Sequence, residues 1–147
     1  MGNIFSKNKI GAKYPRIVFV MDVSGSMGWY RRCHVLQLAV TRIIEEIEDK
    51  SYVGVVLFDK NQETVHKVIQ ITNRSVRNRL ISGVPAMARS GTDIGSGILW
   101  GVKALTDECI ATEGATIFLG TDGEDMTGED YVRRVLPTLL EAKVKLR

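Results

Sequence analysis

Three short stretches of this 147-residue chain carry oxygen-bearing side chains of the kind that hard cations prefer. Asp22-Val23-Ser24-Gly25-Ser26 sets a carboxylate and two hydroxyls at alternate positions. Ser90-Gly91-Thr92-Asp93 adds a third hydroxyl, and Thr121-Asp122-Gly123 a second carboxylate. Mg²⁺ takes oxygen ligands in a near-octahedral array and keeps several of its waters. Residues 24 and 26 can point the same way only in an irregular loop, where Gly25 supplies the backbone freedom. Taken alone, Asp22, Ser24 and Ser26 read equally well as a helix-capping turn. Thr92 and Asp122 tip the balance towards a cation, with Asp93 as a cap or outer acceptor rather than a ligand.

The elements that must hold these stretches follow from the apolar patterning. Ile17–Met21 is a continuous, β-branched apolar run, the mark of a strand buried on both faces. Leu36, Val40, Ile43 and Ile47 then recur at helical spacing. Tyr52–Phe58 predicts a second buried strand, Thr64–Ile71 a mixed, edge-like third, and Ser75–Ser82 a short helix. Ile94, Ile98, Val102 and Leu105 define a further helix over about 94–106, with Gly101 permitting close packing on a sheet. Ala115–Leu119 predicts another buried strand. The last helix, from about Glu129 to Glu141, carries Val132, Val135, Leu136 and Leu139 on one face, and Pro137 should kink or divide it. Val144 and Leu146 alternate with lysines, as at the opening of one more strand. The order predicts an α/β fold, doubly wound, with a mostly parallel sheet and helices on both faces. In such sheets ligands sit beyond the carboxyl ends of the strands, where strand order reverses. Two of the three polar stretches end strands and the other opens a helix, so all three can share that rim.

Composition narrows the function classes. The chain is 44% hydrophobic and 25% charged, which excludes a disordered or collagen-like protein. A net charge of +3 is too small to imply nucleic acid. No apolar stretch approaches membrane-spanning length, and the first 16 residues lack the apolar core of a signal peptide. Cys33, Cys109, His34 and His66 have no zinc-like spacing, and both thiols are expected to be buried and free. A Ser26/His34/Asp122 hydrolase lacks the G-x-S-x-G elbow. Gly95-x-Gly97-x-x-x-Gly101 does not follow a strand as a dinucleotide fingerprint must. The chain is therefore expected not to be an enzyme.

Asp22-x-Ser24-x-Ser26, Thr92 and Asp122 together resemble the metal-ion-dependent adhesion site of von Willebrand factor type A domains. The likeness covers about Pro15 to Arg147. Tyr52–Asp59, Arg77–Leu80, Gly91–Ile98 and Thr121–Asp125 are similar to the type A domain of calcium-activated chloride channel regulators. The resemblance implies a Rossmann-like von Willebrand factor A fold over 15–147, with 1–14 a basic tail and the last strands and helix of the domain lacking. It implies that Ser24, Ser26 and Thr92 bind a divalent cation through hydroxyls, Mg²⁺ ahead of Mn²⁺ or Ca²⁺. Asp22 and Asp122 would act largely through bound waters, and an Asp or Glu of a partner protein would complete the shell. The expected function is thus metal-dependent, adhesion-type protein binding. The alternative is a regulatory fragment affecting chloride conductance.

Other features bear on partners and compartment. Trp29, Tyr30 and Arg31 either anchor a partner beside the cation loop or, for Trp29, pack beneath it. Arg74, Arg77, Arg79 and Arg89 read as a solvated face. Glu124, Asp125, Glu129 and Asp130 place negative charge where a helix N-terminus favours it. Met1-Gly2-Asn3-Ile4-Phe5-Ser6-Lys7 matches the M-G-x-x-x-[ST] pattern, which would make Gly2 a myristoylation site. With Lys7, Lys9 and Lys13 that would give peripheral membrane association from the cytoplasm. The chance-match alternative leaves the family's extracellular setting.

Overall fold

A computed structural model describes residues 10–23, 32–59, 61–84, 93–121 and 130–147. Five strands form one sheet, β1 (Arg16–Asp22), β2 (Tyr52–Phe58), β3 (Gln62–Gln70), β4 (Thr116–Gly120) and β5 (Lys145–Leu146), in the order β3-β2-β1-β4-β5. β1 runs parallel to both β2 and β4, β5 runs parallel to β4, and β3 pairs antiparallel with β2 at the edge. The helices are α1 (Arg32–Glu46), α2 (Arg74–Ser82), α3 (Ile94–Asp107) and α4 (Tyr131–Ala142).

Two apolar clusters cover the sheet faces, as a doubly wound sheet requires. On one, Val18, Val20, Val56 and Ile117 meet Ile94, Ile98, Val102 and Leu105 of α3 and Val135 of α4. On the other, Phe19, Met21, Val53, Val55 and Leu57 meet Val40 and Ile44 of α1 and Val76 and Leu80 of α2. Alternate residues of one strand thus feed opposite faces, so β1 and β2 read as unbroken apolar runs. α3 lies tight on the sheet: a Cβ at Gly101 would stand 2.6 Å from Val20 Cγ2, and one at Gly97 would stand 2.7 Å from the Phe58 ring. That close seat brings the start of α3 to the carboxyl ends of β1 and β2.

The sequence expectations need correction in four places. Arg77 is not solvated. It is buried and donates from Nη1 to the carbonyls of Ile44 and Ile47 (2.9 Å to the latter), and from Nη2 to Asp49 at 2.7 Å. α1 has no basic residue in its last turn, so α2 supplies the cation that its carbonyls and dipole favour. Cys33 is buried as expected, but Cys109 is exposed, at a turn with φ 55. On α4 only Val135 and Ala142 are fully buried, with Leu139 packed against the core, while Val132 and Leu136 face outward. Of the two outcomes expected at Pro137, a kink or a division, the division does not occur: the helix is continuous from Tyr131 to Ala142. Pro137 and Arg133, whose carbonyl loses its N–H partner, are both exposed, so water can serve there.

The strand expected at Val144–Leu146 pairs with Thr116 and Ile117, and Arg147 O accepts from Leu119 N–H at 2.8 Å. β5 thus covers the outer edge of β4 at Thr116 and Ile117.

Candidate metal-site rim

Strand order reverses at β1. The chain leaves β1 through α1 to β2 on one side and returns through α3 to β4 on the other. The crevice of an open α/β sheet belongs at such a point. There the structure joins Asp22, last residue of β1, to Thr121, which follows β4. The Thr121 hydroxyl donates to Asp22 Oδ2 at 2.6 Å, linking residues 99 apart in sequence. Asp22 is only 1% exposed. Burying a carboxylate is costly unless it is hydrogen-bonded or paired, so its placement at the crevice calls for donors or cations.

Two more aspartates frame the same rim. Asp59, just past β2, is buried, and its Oδ1 accepts the Asn61 N–H at 2.7 Å. Its carbonyl accepts the Asp93 N–H at 2.8 Å, while Phe58 O accepts the Val23 N–H at 2.8 Å. These backbone bonds stitch the stretch after β1, the end of β2 and the start of α3 into one platform. Asp93 caps α3, accepting from the Ser96 N–H at 3.1 Å and the Ser96 hydroxyl at 2.7 Å, as the sequence suggests for a cap. Arg134 of α4 adds an ion pair to Asp93 at 2.8 Å. Burial pushes the Asp93 carboxyl up, but the two Ser96 donors and the Arg134 guanidinium together hold it below the ordinary carboxylate range. Asp130 caps α4, accepting the Arg133 N–H at 3.2 Å, as the helix-terminus reading has it for this residue, while Glu124, Asp125 and Glu129 lie outside the described residues. A cleft of about 290 Å³ opens beside the rim, lined by Val23, Phe58, Asp59, Asn61, Gln62 and Glu63 among others.

Of the five proposed cation ligands, Asp22 is described and stands at the crevice. Ser24, Ser26, Thr92 and Asp122 lie outside the described residues, as do Trp29, Tyr30, Arg31 and Gly2. In sequence, Ser24 and Ser26 follow Asp22, Thr92 precedes Asp93, and Asp122 follows Thr121. Each anchor on the rim is therefore the flank of one ligand stretch. Among the described residues, no three His, Cys, Asp or Glu side chains cluster as a metal site, and no helix is long and apolar enough to cross a membrane. Sequence reasoning missed Thr121 as a partner of Asp22. Its signal was a hydroxyl directly before Asp122 at the end of a buried strand. The donor set suits a hard cation: carboxylates and hydroxyls only, arriving from three chain segments.

An open α/β sheet with this polar rim at its switch point defines the class. The family model of the von Willebrand factor type A domain matches residues 17–124, and the chain belongs to that family. Human calcium-activated chloride channel regulator 4 is 34% identical over 133 residues, which are 90% of this chain and 14% of the regulator. Human calcium-activated chloride channel regulator 1 is 36% identical over 124 residues, 84% of this chain and 13% of the regulator. The chain thus spans a small part of the relatives it matches. Among solved structures, a von Willebrand factor type A protein from Catenulispora acidiphila superposes with TM-score 0.75 at 19% identity, covering 86% of this chain and 30% of that one. The open form of the pilus adhesin SpaC from Lactobacillus rhamnosus GG gives TM-score 0.63 at 21% identity, covering 76% and 15%. The two structures support the fold.

Proposed function

We propose that this chain is a metal-ion-dependent protein-binding module. Ser24, Ser26 and Thr92 would hold a divalent cation, Mg²⁺ in first place, through their hydroxyls, with Asp22 and Asp122 acting largely through bound waters. The cation would supply Lewis-acidic coordination for a carboxylate presented by an Asp or Glu of a partner protein. Two carboxylates only neutralise a divalent ion, so a third, incoming one is electrostatically favourable. The observation that carries this reading is the buried Asp22 carboxylate at the switch point, held by Thr121. The reading assigns no reaction to the chain.

Isothermal titration with MgCl₂ tests it. Saturable binding by the wild type, lost in Asp22→Ala and in Thr92→Ala, is the expected result. Equal heats from all three proteins would refute the site.

The 34% identity with a channel regulator over 90% of the chain favours a second reading, a segment that modulates chloride conductance. Co-purification with a channel subunit and altered whole-cell chloride current would support it. An unchanged current on expression would count against it.

A further inference from the structure

We propose that the cleft at the end of β2 binds the ammonium of a lysine side chain presented by a protein partner. The inference goes beyond the cation reading and does not depend on it. Every residue lining the cleft lies among the described ones, and none is a proposed hydroxyl ligand.

The cleft of about 290 Å³ lies where β2 ends and β3 begins. Ligand pockets start at roughly 300 Å³, so this one suits a single side chain rather than a cofactor. Val23, Leu57 and Phe58, all buried, give it apolar walls. Asp59 and Glu63 bring two carboxylates to the same lining, and no lysine, arginine or histidine joins them there. Apolar walls with an acidic end match a side chain whose alkyl stem carries its charge at the tip.

Asp59 marks where that charge would sit. It is only 7% exposed, and a carboxylate buried so far is costly unless hydrogen-bonded or paired. Its Oδ1 accepts the Asn61 N–H at 2.7 Å, while its Oδ2 has no partner among the described residues. Nor is Oδ2 sealed inside, since Ser51 Oγ is the one fully buried side-chain oxygen there without a partner. Oδ2 is therefore open, on a residue that lines the cleft. One open oxygen suits an ammonium, a compact point charge, whereas a guanidinium fork gains most by engaging both oxygens. A metal ion fits less well. Mg²⁺ and Ca²⁺ take six or more oxygens, and among the described residues no three acidic, His or Cys side chains gather.

Position favours a macromolecular source. Val23 follows Asp22 in the chain and donates its N–H to Phe58 O, and Asp59 O accepts the Asp93 N–H. The cleft thus adjoins the rim where ligands of open α/β sheets bind, and a protein seated there can reach it.

The test follows amide shifts of the isotope-labelled full chain in chelator, at fixed ionic strength, as Nα-acetyl-lysine methylamide is added. The norleucine counterpart keeps the stem without the charge, and the arginine counterpart replaces the ammonium by a guanidinium. We expect saturable shifts at Val23, Asn61 and Gln62 with the lysine compound, none with norleucine, and weaker binding of arginine. Asp59→Asn keeps an oxygen for the Asn61 N–H, so the turn survives while the charge is lost. Its affinity should fall by about 10-fold, the low end of what a charge-assisted bond contributes. Glu63→Gln, at an exposed carboxylate, should lose no more than about 5-fold.

Absence of saturable shifts in the wild type, or equal shifts with norleucine, would overturn the proposal. So would unchanged affinity in an Asp59→Asn protein whose spectrum otherwise matches the wild type. Tighter binding of the arginine compound would overturn the choice of an ammonium, and tighter binding of free butylamine the choice of a protein side chain. CaCl₂, added without chelator, would reassign the cleft to a metal if it moved the same amides in wild type and not in Asp59→Asn. Because the lysine titration contains no free Mg²⁺, failure of the cation reading would leave its outcome standing.

Discussion

Replacing Thr121 by Val removes one hydroxyl and keeps the shape of the side chain. In the native protein that hydroxyl donates to Asp22 Oδ2 at 2.6 Å, and the acceptor is a carboxylate only 1% exposed. A hydrogen bond to a charged group contributes about 1.5–3 kcal/mol, and removing this donor to a buried carboxylate forfeits most of that contribution. A chain of this length unfolds with an entropy of about 0.3 kcal/mol/K, so the loss corresponds to about 5–10 °C in Tm. The assay is thermal unfolding followed by circular dichroism, in excess chelator so that no cation contributes. Thr121→Ser restores the hydroxyl and should recover most of the loss. A Thr121→Val protein that melts with the wild type in chelator would refute the argument. It would mean that Asp22 does not depend on this donor.

Other expected outcomes concern the frame around the rim. Arg77→Met leaves the Ile44 and Ile47 carbonyls at the end of α1 without their donor and should cost about 3 kcal/mol, or about 10 °C, by denaturant or thermal unfolding. Exposed Arg79→Met on the same helix should stay within about 0.5 kcal/mol, and equal losses in the two would contradict the capping role. Gly101→Ala drives a Cβ to 2.6 Å from Val20 Cγ2 and should destabilise by about 1–3 kcal/mol despite better helix propensity; a gain in Tm would count against the close seat of α3. Because the folded protein holds the Asp93 carboxyl below its ordinary value, that carboxylate stabilises above the unfolded value of about 4. The advantage of wild type over Asp93→Asn in urea unfolding should be constant from neutral pH to about 5 and shrink as pH falls through the folded value. An advantage that grows on acidification would have the wrong sign.

The elements were largely legible because each is set by local patterning. Ile17–Met21 and Tyr52–Phe58 are apolar on both faces, and only a strand between two helix layers asks for that. The repeat at 94, 98, 102 and 105 coincides with the buried residues of α3. What escaped was set by distant contacts. Arg77 looks like one cation in a solvated run until the end of α1 is brought against it, 33 residues away from Ile44 in sequence. On α4, Val132 and Leu136 share a helical stripe with Val135, but the core reaches only the side bearing Val135, Leu139 and Ala142. Cys109 follows the general preference of thiols for the interior only until its turn places it outside. The site divides in the same way. Asp22 could be placed at a strand end from the sequence, whereas its bond to Thr121 depends on β4 returning to the far side of β1.

The central claim is that the rim of this von Willebrand factor type A domain binds a divalent cation. Its most direct test is thermal unfolding of wild type and Asp22→Ala, first in chelator and then in rising Mg²⁺. A cation that binds only the folded state adds about 2.7 kcal/mol at a hundredfold excess over its dissociation constant, which here is about 9 °C. The account predicts that rise in the wild type and none in Asp22→Ala. A wild-type transition that stays cooperative and indifferent to Mg²⁺ would contradict it.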